Sequence, residues 1–254
     1  MILEPEWLVI FAAVALLAGI IDTLAGGGGL ITVPIFLLAG LSPASALATN
    51  KCQGFAGTLT AALKLIHSGH LDLKPLWHLG LIAFGASLFG AWTLQESAGS
   101  FWLARTVPIL LILAALYFLM VRLPEDQDDL IKPKFRTWGL LAIVAIGFYD
   151  GFFGPGTGSL FALLMITVLG LNLRSATIHA KLFNAMTNLA AFTLFVWSDL
   201  VEWSAVAVMI PAQICGALIG TRLILGRGIV FVRPLVVVMC TLTAIKLASD
   251  AWLA

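Results

Sequence analysis

Gly19-Ile20-Ile21-Asp22-Thr23-Leu24-Ala25-Gly26-Gly27-Gly28-Gly29 and Gly147-Phe148-Tyr149-Asp150-Gly151-Phe152-Phe153-Gly154-Pro155-Gly156-Thr157-Gly158 are two versions of one pattern. In each, an apolar run reaches an aspartate and breaks one helical turn later in a glycine cluster. A short apolar piece follows each break, residues 30–41 and 159–171. A long segment comes next, 42–67 and 172–197, and then further apolar segments at 75–95 and 203–225 and at 101–121 and 229–251. The spacing predicts helices, because a membrane-spanning helix needs about 20 apolar residues. The short pieces fall below that length.

The correspondence extends residue by residue. Gly26 and Gly28 match Gly154 and Gly156. After a two-residue adjustment, Lys51 matches Lys181, Ser68 matches Ser198, Asp72 matches Glu202 and Gly90 matches Gly220. A series in constant order is an internal repeat, and repeats of this size in membrane chains are the usual transporter design. Between the copies lies the one strongly polar stretch, 122–136, with Glu125, Asp126, Asp128, Asp129, Lys132 and Lys134.

Composition agrees. Of 254 residues, 61% are hydrophobic and 11% charged, whereas a soluble domain carries about 25% charged residues. The net charge of +1 and the lack of a basic stripe argue against nucleic-acid binding. Cys52, Cys215 and Cys240 are scattered, show no metal or disulfide spacing, and are expected as buried apolar thiols. Glu4 and Glu6 precede the first apolar run without Lys or Arg, the reverse of a signal-peptide n-region, so this run is expected to belong to the mature protein.

Lys and Arg mark the cytoplasmic side. Arg122, Lys132, Lys134 and Arg136 place the linker inside, as do Arg222, Arg227 and Arg233 for the loop around Gly226. The acidic loop 198–202 falls outside. Arg174 falls inside, so the stretch between linker and Arg174 must enter and return. The first half reads the same way with opposite hand, its N-terminus outside and its loop 68–74 inside. The expected fold is therefore an all-α polytopic membrane protein of two inverted repeats, each a glycine-broken helical hairpin followed by three transmembrane helices. Residues 1–122 form the first repeat, 123–136 the cytoplasmic linker and 137–254 the second repeat. The expected location is the plasma (inner) membrane, with both termini extracytoplasmic. If both hairpin arms cross fully, each half makes five crossings and the inversion survives.

The glycine tips are the first candidates for chemistry. Bare backbone at membrane depth is tolerated only when buried in protein or lining a cavity, and a broken helix presents N–H groups that favour anions. Close helix packing is the competing explanation; two matched clusters, each followed by a short helix, favour a site. A nucleotide loop is excluded, since neither cluster runs into Gly-Lys-Ser/Thr.

The lysines are the second. Lys51 lies about 12 Å along its helix from Pro43, and Lys181 a similar depth from the opposite side. A lysine at the bilayer centre costs about 2.5–3.5 kcal/mol, so each needs a partner. Asp22 and Asp150 are available, either as structural locks or as carriers of a coupling proton. Thr49, Asn50 and Gln53 surround Lys51, and His179, Asn184, Thr187 and Asn188 surround Lys181. Lys181, Asn184 and Asn188 share one helix face. The substrate-binding set is thus Gly27, Gly28, Gly29, Asn50, Lys51, Gly156, Thr157, Lys181 and Asn184. Asp22 and Asp150 form the ion-pair or coupling set, supported by Thr49, Gln53, His179 and Asn188. His67, His70 and His78 are expected at an interface, and Arg222 is expected to snorkel.

Residues 19–34, Ala-Leu-Ala-Thr-Asn-Lys at 46–51, residues 147–159 and His-Ala-Lys-Leu-Phe-Asn-Ala at 179–185 resemble the TauE/SafE, or TSUP, family of membrane proteins, most closely its YfcA-like branch. The resemblance covers essentially the whole chain. It implies transport of sulfur-containing anions such as sulfite, sulfoacetate and thiosulfate. Here the two tips differ, four glycines in one and Pro155 in the other. The expected function is alternating access for a small anion in the lipid bilayer, with a proton or sodium as coupling ion. No cofactor or metal is expected, and no oligomeric state follows. An anion channel, an intramembrane enzyme and a non-transporting sensor are the alternatives.

Overall fold

The computed structural model describes residues 5–120 and 137–225. The linker, the expected span 229–251, the loop around Gly226 and Cys240 lie outside the described residues. Among the described residues the secondary structure is helical: α1 Pro5–Ala25, α2 Gly29–Leu38, α3 Pro43–His67, α4 Trp77–Glu96, α5 Phe101–Met120, α6 Thr137–Phe152, α7 Thr157–Leu169, α8 Leu173–Phe195 and α9 Trp203–Leu225. The chain is an all-α membrane protein. By length and composition α1, α4 and α9 are each able to cross a bilayer.

Local chemistry sets the ends. α3 and α8 start alike: Ser42 Oγ accepts from Ser45 N at 3.2 Å, and Asn172 Oδ1 accepts from Ser175 N at 2.8 Å. Pro43 occupies the first turn of α3, where its missing N–H costs nothing. α1 ends at Gly26, whose φ of +67° a side chain would rarely tolerate. Phe11 of α1 and Phe36 of α2 meet at 5.3 Å between ring centroids. A straight continuation would hold them more than about 30 Å apart at 1.5 Å per residue. α2 therefore folds back on α1 as a hairpin.

The halves pack by exchange. α1 lies along α9 and α4 along α6, while α3 and α8 meet between them. Matched glycines make matched contacts. A Cβ on Gly220 would stand 2.9 Å from the Ile20 carbonyl oxygen, and one on Gly90 would stand 2.1 Å from that of Phe148. The two tips also touch: a Cβ on Gly26 would come within 2.3 Å of Gly158 Cα. Without side chains the backbones approach directly, as in other small-residue membrane interfaces.

α3 and α8 are enclosed, which explains their polarity. Asn50, Lys51, Gln53, Lys181, Asn184 and Asn188 are all buried. The outer faces carry exposed Val9, Leu17, Leu81, Phe89, Leu141 and Val144, a surface suited to hydrocarbon rather than water. Trp77, Trp138, Trp197 and Trp203 are exposed at or beside helix ends, where indole rings favour the membrane interface. His67, His70 and His78 are exposed. One expectation is corrected: Cys52 is buried but Cys215 is exposed, because α9 turns that side away from α1 and α3.

Gly151 tests the close packing. A Cβ there would lie 1.9 Å from the Ser87 carbonyl oxygen, whereas Gly85 on the same α4–α6 layer meets nothing within 4 Å. Gly151→Val should destabilise the protein by about 1–3 kcal/mol through overpacking. Gly85→Ala should be neutral or stabilise it by a few tenths of a kcal/mol through helix propensity. Thermal unfolding of the detergent-purified variants measures both.

Candidate functional site

Lysine and aspartate pair across the halves. Lys51 Nζ of α3 donates to Asp150 Oδ1 of α6 at 2.5 Å and to Asn188 Oδ1 of α8 at 3.3 Å. Lys181 Nζ of α8 donates to the backbone carbonyl of Asp22 in α1, with the Asp22 carboxylate Oδ2 at 3.5 Å. Each half's long helix thus holds the other half's hairpin. Gly154 makes the first pair reachable: a Cβ there would stand 2.5 Å from Lys51 Nζ, and its φ is +94°.

The two pairs are unequal. Lys51 and Asp150 are 2% and 1% exposed, while Asp22 is 13% exposed. The second Asp22 oxygen, Oδ1, accepts from Gly28 N at 3.4 Å. Asp22 therefore also ties the first tip to its own helix. Ser159 Oγ donates to the Ala25 carbonyl, which joins the second tip to the first.

Asp22, Gly28, Gly29, Asn50, Lys51, Gln53, Asp150, Asn184 and Asn188 line one cavity of about 30 Å³, room for one or two water-sized groups. Lys181 stands behind Asp22 rather than on the wall. Gly27, Gly156 and Thr157 shape the tips without lining the cavity. Thr157 Oγ1 donates to the Gly154 carbonyl at 2.6 Å, closing the second tip. Thr49 Oγ1 accepts from Glu202 N at 3.0 Å, so it serves the start of α9. His179 Nδ1 lies 2.7 Å from the Ser175 carbonyl, also away from the cavity.

The cavity has two chemical sides. Gly29 N, Asn50 Nδ2 and Asn184 Nδ2 make no hydrogen bond to another described residue, and they sit at the tips. Asn50 Nδ2 is 3.2 Å from where a Gly29 Cβ would be, and Asn184 Nδ2 is 3.3 Å from where a Gly158 Cβ would be. Asn50 is oriented by its oxygen, which accepts from Thr32 Oγ1 at 2.5 Å and from Gln53 Nε2 at 3.3 Å. These N–H groups form a donor side. Three acceptors on residues that line the same cavity, Asp150 Oδ2, Gln53 Oε1 and Gln213 Oε1, are buried without a hydrogen-bond partner.

Sequence reasoning passed over Gly54, Thr58 and Gln213, which also line the cavity. A glutamine amid the apolar residues of α9 was the available signal. Its side chain packs against Gly57, where a Cβ would be 2.6 Å from its Cγ. Among the described residues no group of three or more His, Cys, Asp or Glu side chains could hold a metal ion.

Buried crosswise ion pairs lie at the junction of two glycine-broken hairpins, in a helical bundle with a lipid-compatible surface, the frame of a polytopic membrane protein. The family model for "Sulfite exporter TauE/SafE" matches residues 11–247, and the chain belongs to that family. It is 37% identical over 245 residues to a "Probable membrane transporter protein" of Haemophilus influenzae, covering 96% of each chain. It is 39% identical over 248 residues to "Probable membrane transporter protein YfcA" of Escherichia coli, covering 98% of this chain and 92% of that one. A third relative, "Probable membrane transporter protein ORF9" of Sinorhizobium sp, is 37% identical over 236 residues, or 93% and 90% of the two chains. No solved structure matches.

The inequality of the pairs has a measurable consequence. Asp150→Asn leaves Lys51 charged and poorly compensated in a closed site, a loss of about 3–5 kcal/mol. Asp22→Asn should cost clearly less, since Asp22 is partly exposed and Lys181 keeps its carbonyl bond. The double variant Lys51→Met/Asp150→Leu should recover more than half of the Asp150→Asn loss. Equilibrium unfolding in detergent compares the three.

Proposed function

We propose that the protein is a secondary transporter of small anions, most specifically sulfur oxyanions and organosulfonates such as sulfite, sulfoacetate and thiosulfate. The observation that carries this reading is the crosswise pairing of Lys51 with Asp150 and Lys181 with Asp22. An anion bound between the tips competes with a carboxylate for a lysine, so its arrival loosens a bond that joins the two halves. That couples binding to relative movement of the halves, which alternating access requires.

The recognition elements are the Gly28–Gly29 backbone, Asn50, Lys51 and Asn184, with Lys181 reached by displacement of Asp22. Gly27, Gly156 and Thr157 hold the tips in shape. N–H donors and a lysine match the oxygens of an anion. The sulfur preference rests on the family's description and on the motif resemblance. A proton or sodium ion drives the cycle.

The halves are read as inverted repeats in the inner membrane, divided at 123–136, with the termini outside. The exchange of α1–α9 and α4–α6 packing supports a pseudo-two-fold relation. The Thr49–Glu202 bond supports the orientation. It joins the acidic loop that the charge rule places outside to the part of α3 that the same rule starts outside.

Lys51→Ala and Lys181→Ala should each reduce uptake of radiolabelled sulfite into proteoliposomes at least tenfold, while exposed Lys64→Ala leaves it unchanged. Undiminished uptake in both buried-lysine variants would remove this site from the transport path. A thermal-shift series with sulfite, sulfoacetate, thiosulfate, sulfate and chloride ranks the substrates, since a ligand stabilises the state that binds it.

A further inference from the structure

The charged groups of the site cancel. Lys51, Lys181 and Asp150 are the charged side chains that are buried among the described residues, and Asp22 completes the set at 13% exposure. Two lysines and two aspartates sum to zero. An arriving anion therefore leaves the closed site with an unbalanced negative charge, and such charge is costly at membrane depth.

The groups left without partners have the opposite preference. Asp150 Oδ2, Gln53 Oε1 and Gln213 Oε1 are acceptors, each buried and unpaired, on residues 1%, 1% and 2% exposed. An unsatisfied buried acceptor is costly, and three on residues lining one cavity need an explanation. Their orientation is set by neighbours. Gln53 Nε2 donates to Asn50, which turns Oε1 the other way. Gln213 Nε2 is the amide atom against Gly57, at 2.8 Å from a Cβ position.

All three residues line the same cavity as Gly54, whose Cβ position is open, with nothing within 4 Å. Thr58, one turn on, donates its proton to the α3 carbonyls of Gly54 and Phe55 at 3.2 and 3.1 Å. Its hydroxyl therefore offers only lone pairs.

We propose that Asp150 Oδ2, Gln53 Oε1 and Gln213 Oε1, beside bare Gly54, form a subsite for sodium next to the transported anion. The inference rests on reading this cavity as the transport site and names its coupling ion. A carboxylate and neutral carbonyl-type oxygens are the ligands that hard cations take. A proton on Asp150 supplies the same charge but donates to one acceptor only. Sodium engages several oxygens at once and so accounts for the two amides as well. The anion then occupies the donor side and sodium the acceptor side, and sodium offsets one unit of the anion's charge.

The test uses the full-length protein, purified in detergent and unfolded thermally in sodium, potassium or choline chloride at equal ionic strength. Sodium should raise Tm by about 5 °C or more at a hundredfold excess over its Kd, and potassium and choline should not. Gln213→Leu removes one oxygen and Gly54→Val fills the space; each should abolish the sodium increment. Equal Tm values for the wild type in sodium and potassium overturn the proposal, whether or not the variants fold. Radiolabelled sulfite uptake into proteoliposomes then separates the two readings. A sodium increment without sulfite uptake keeps the cation subsite and rejects the sulfite assignment. Sulfite uptake driven by a pH gradient and indifferent to sodium keeps the transport reading and rejects the subsite.

Discussion

Two lysines stand in the interior of a protein built for lipid, and the rest of the structure accommodates them. An unpaired ammonium there is costly, and an ion pair compensates only when its geometry is good and its remaining protons are bonded. Lys51 meets these conditions with Asp150 and Asn188. Lys181 meets them with the backbone and carboxylate of Asp22. Because each lysine belongs to one half and its aspartate to the other, the same bonds that neutralise the interior also hold the halves together. Stability and any movement of the halves therefore depend on the same few atoms.

Those bonds require short distances between backbones. The Gly26–Gly158 contact brings the tips together, and Gly154 leaves room for the Lys51 ammonium. The Gly90 and Gly220 contacts set the hairpin arms against the opposite half at the depth where the aspartates meet the lysines. Helix association in lipid lacks a hydrophobic driving force, so packing and interhelical hydrogen bonds carry it. The glycine content of the chain follows from that constraint. The break after each aspartate does two things: it frees backbone N–H groups, and it lets the chain turn back before α2 and α7 reach spanning length.

The cavity lining does not follow the matched positions of the sequence throughout. Asn50 and Gln53 lie on the first-half helix, and their counterparts at the 130-residue offset, Ala180 and Phe183, are apolar. Gln213 on α9 likewise corresponds to Ala83 on α4. The side-chain amides at these three positions are therefore departures from the sequence pattern, whereas Asp150 keeps it. The two ion pairs occupy matching places in the sequence pattern but differ in burial and bonding, and the residues that depart from the pattern add amides to the cavity lining.

The amino-acid sequence by itself determined the elements. Helix ends fell where Ser42-Pro43, Asn172 and the glycine clusters place them, because capping and φ > 0 are local requirements that neighbours in the chain express. The apolar exterior and the identity of the charged residues were legible for the same reason: each is a pattern along one dimension. Only the tertiary structure decided which aspartate meets which lysine, since both pairings are compatible with the spacing and the choice depends on how the hairpins cross between α3 and α8. It alone removed Thr49 and His179 from the cavity wall, brought in Gln213 and Gly54, and turned Cys215 outward. Those outcomes depend on helix rotation and on contacts between residues separated by 99 to 159 positions, and linear spacing carries no information about them.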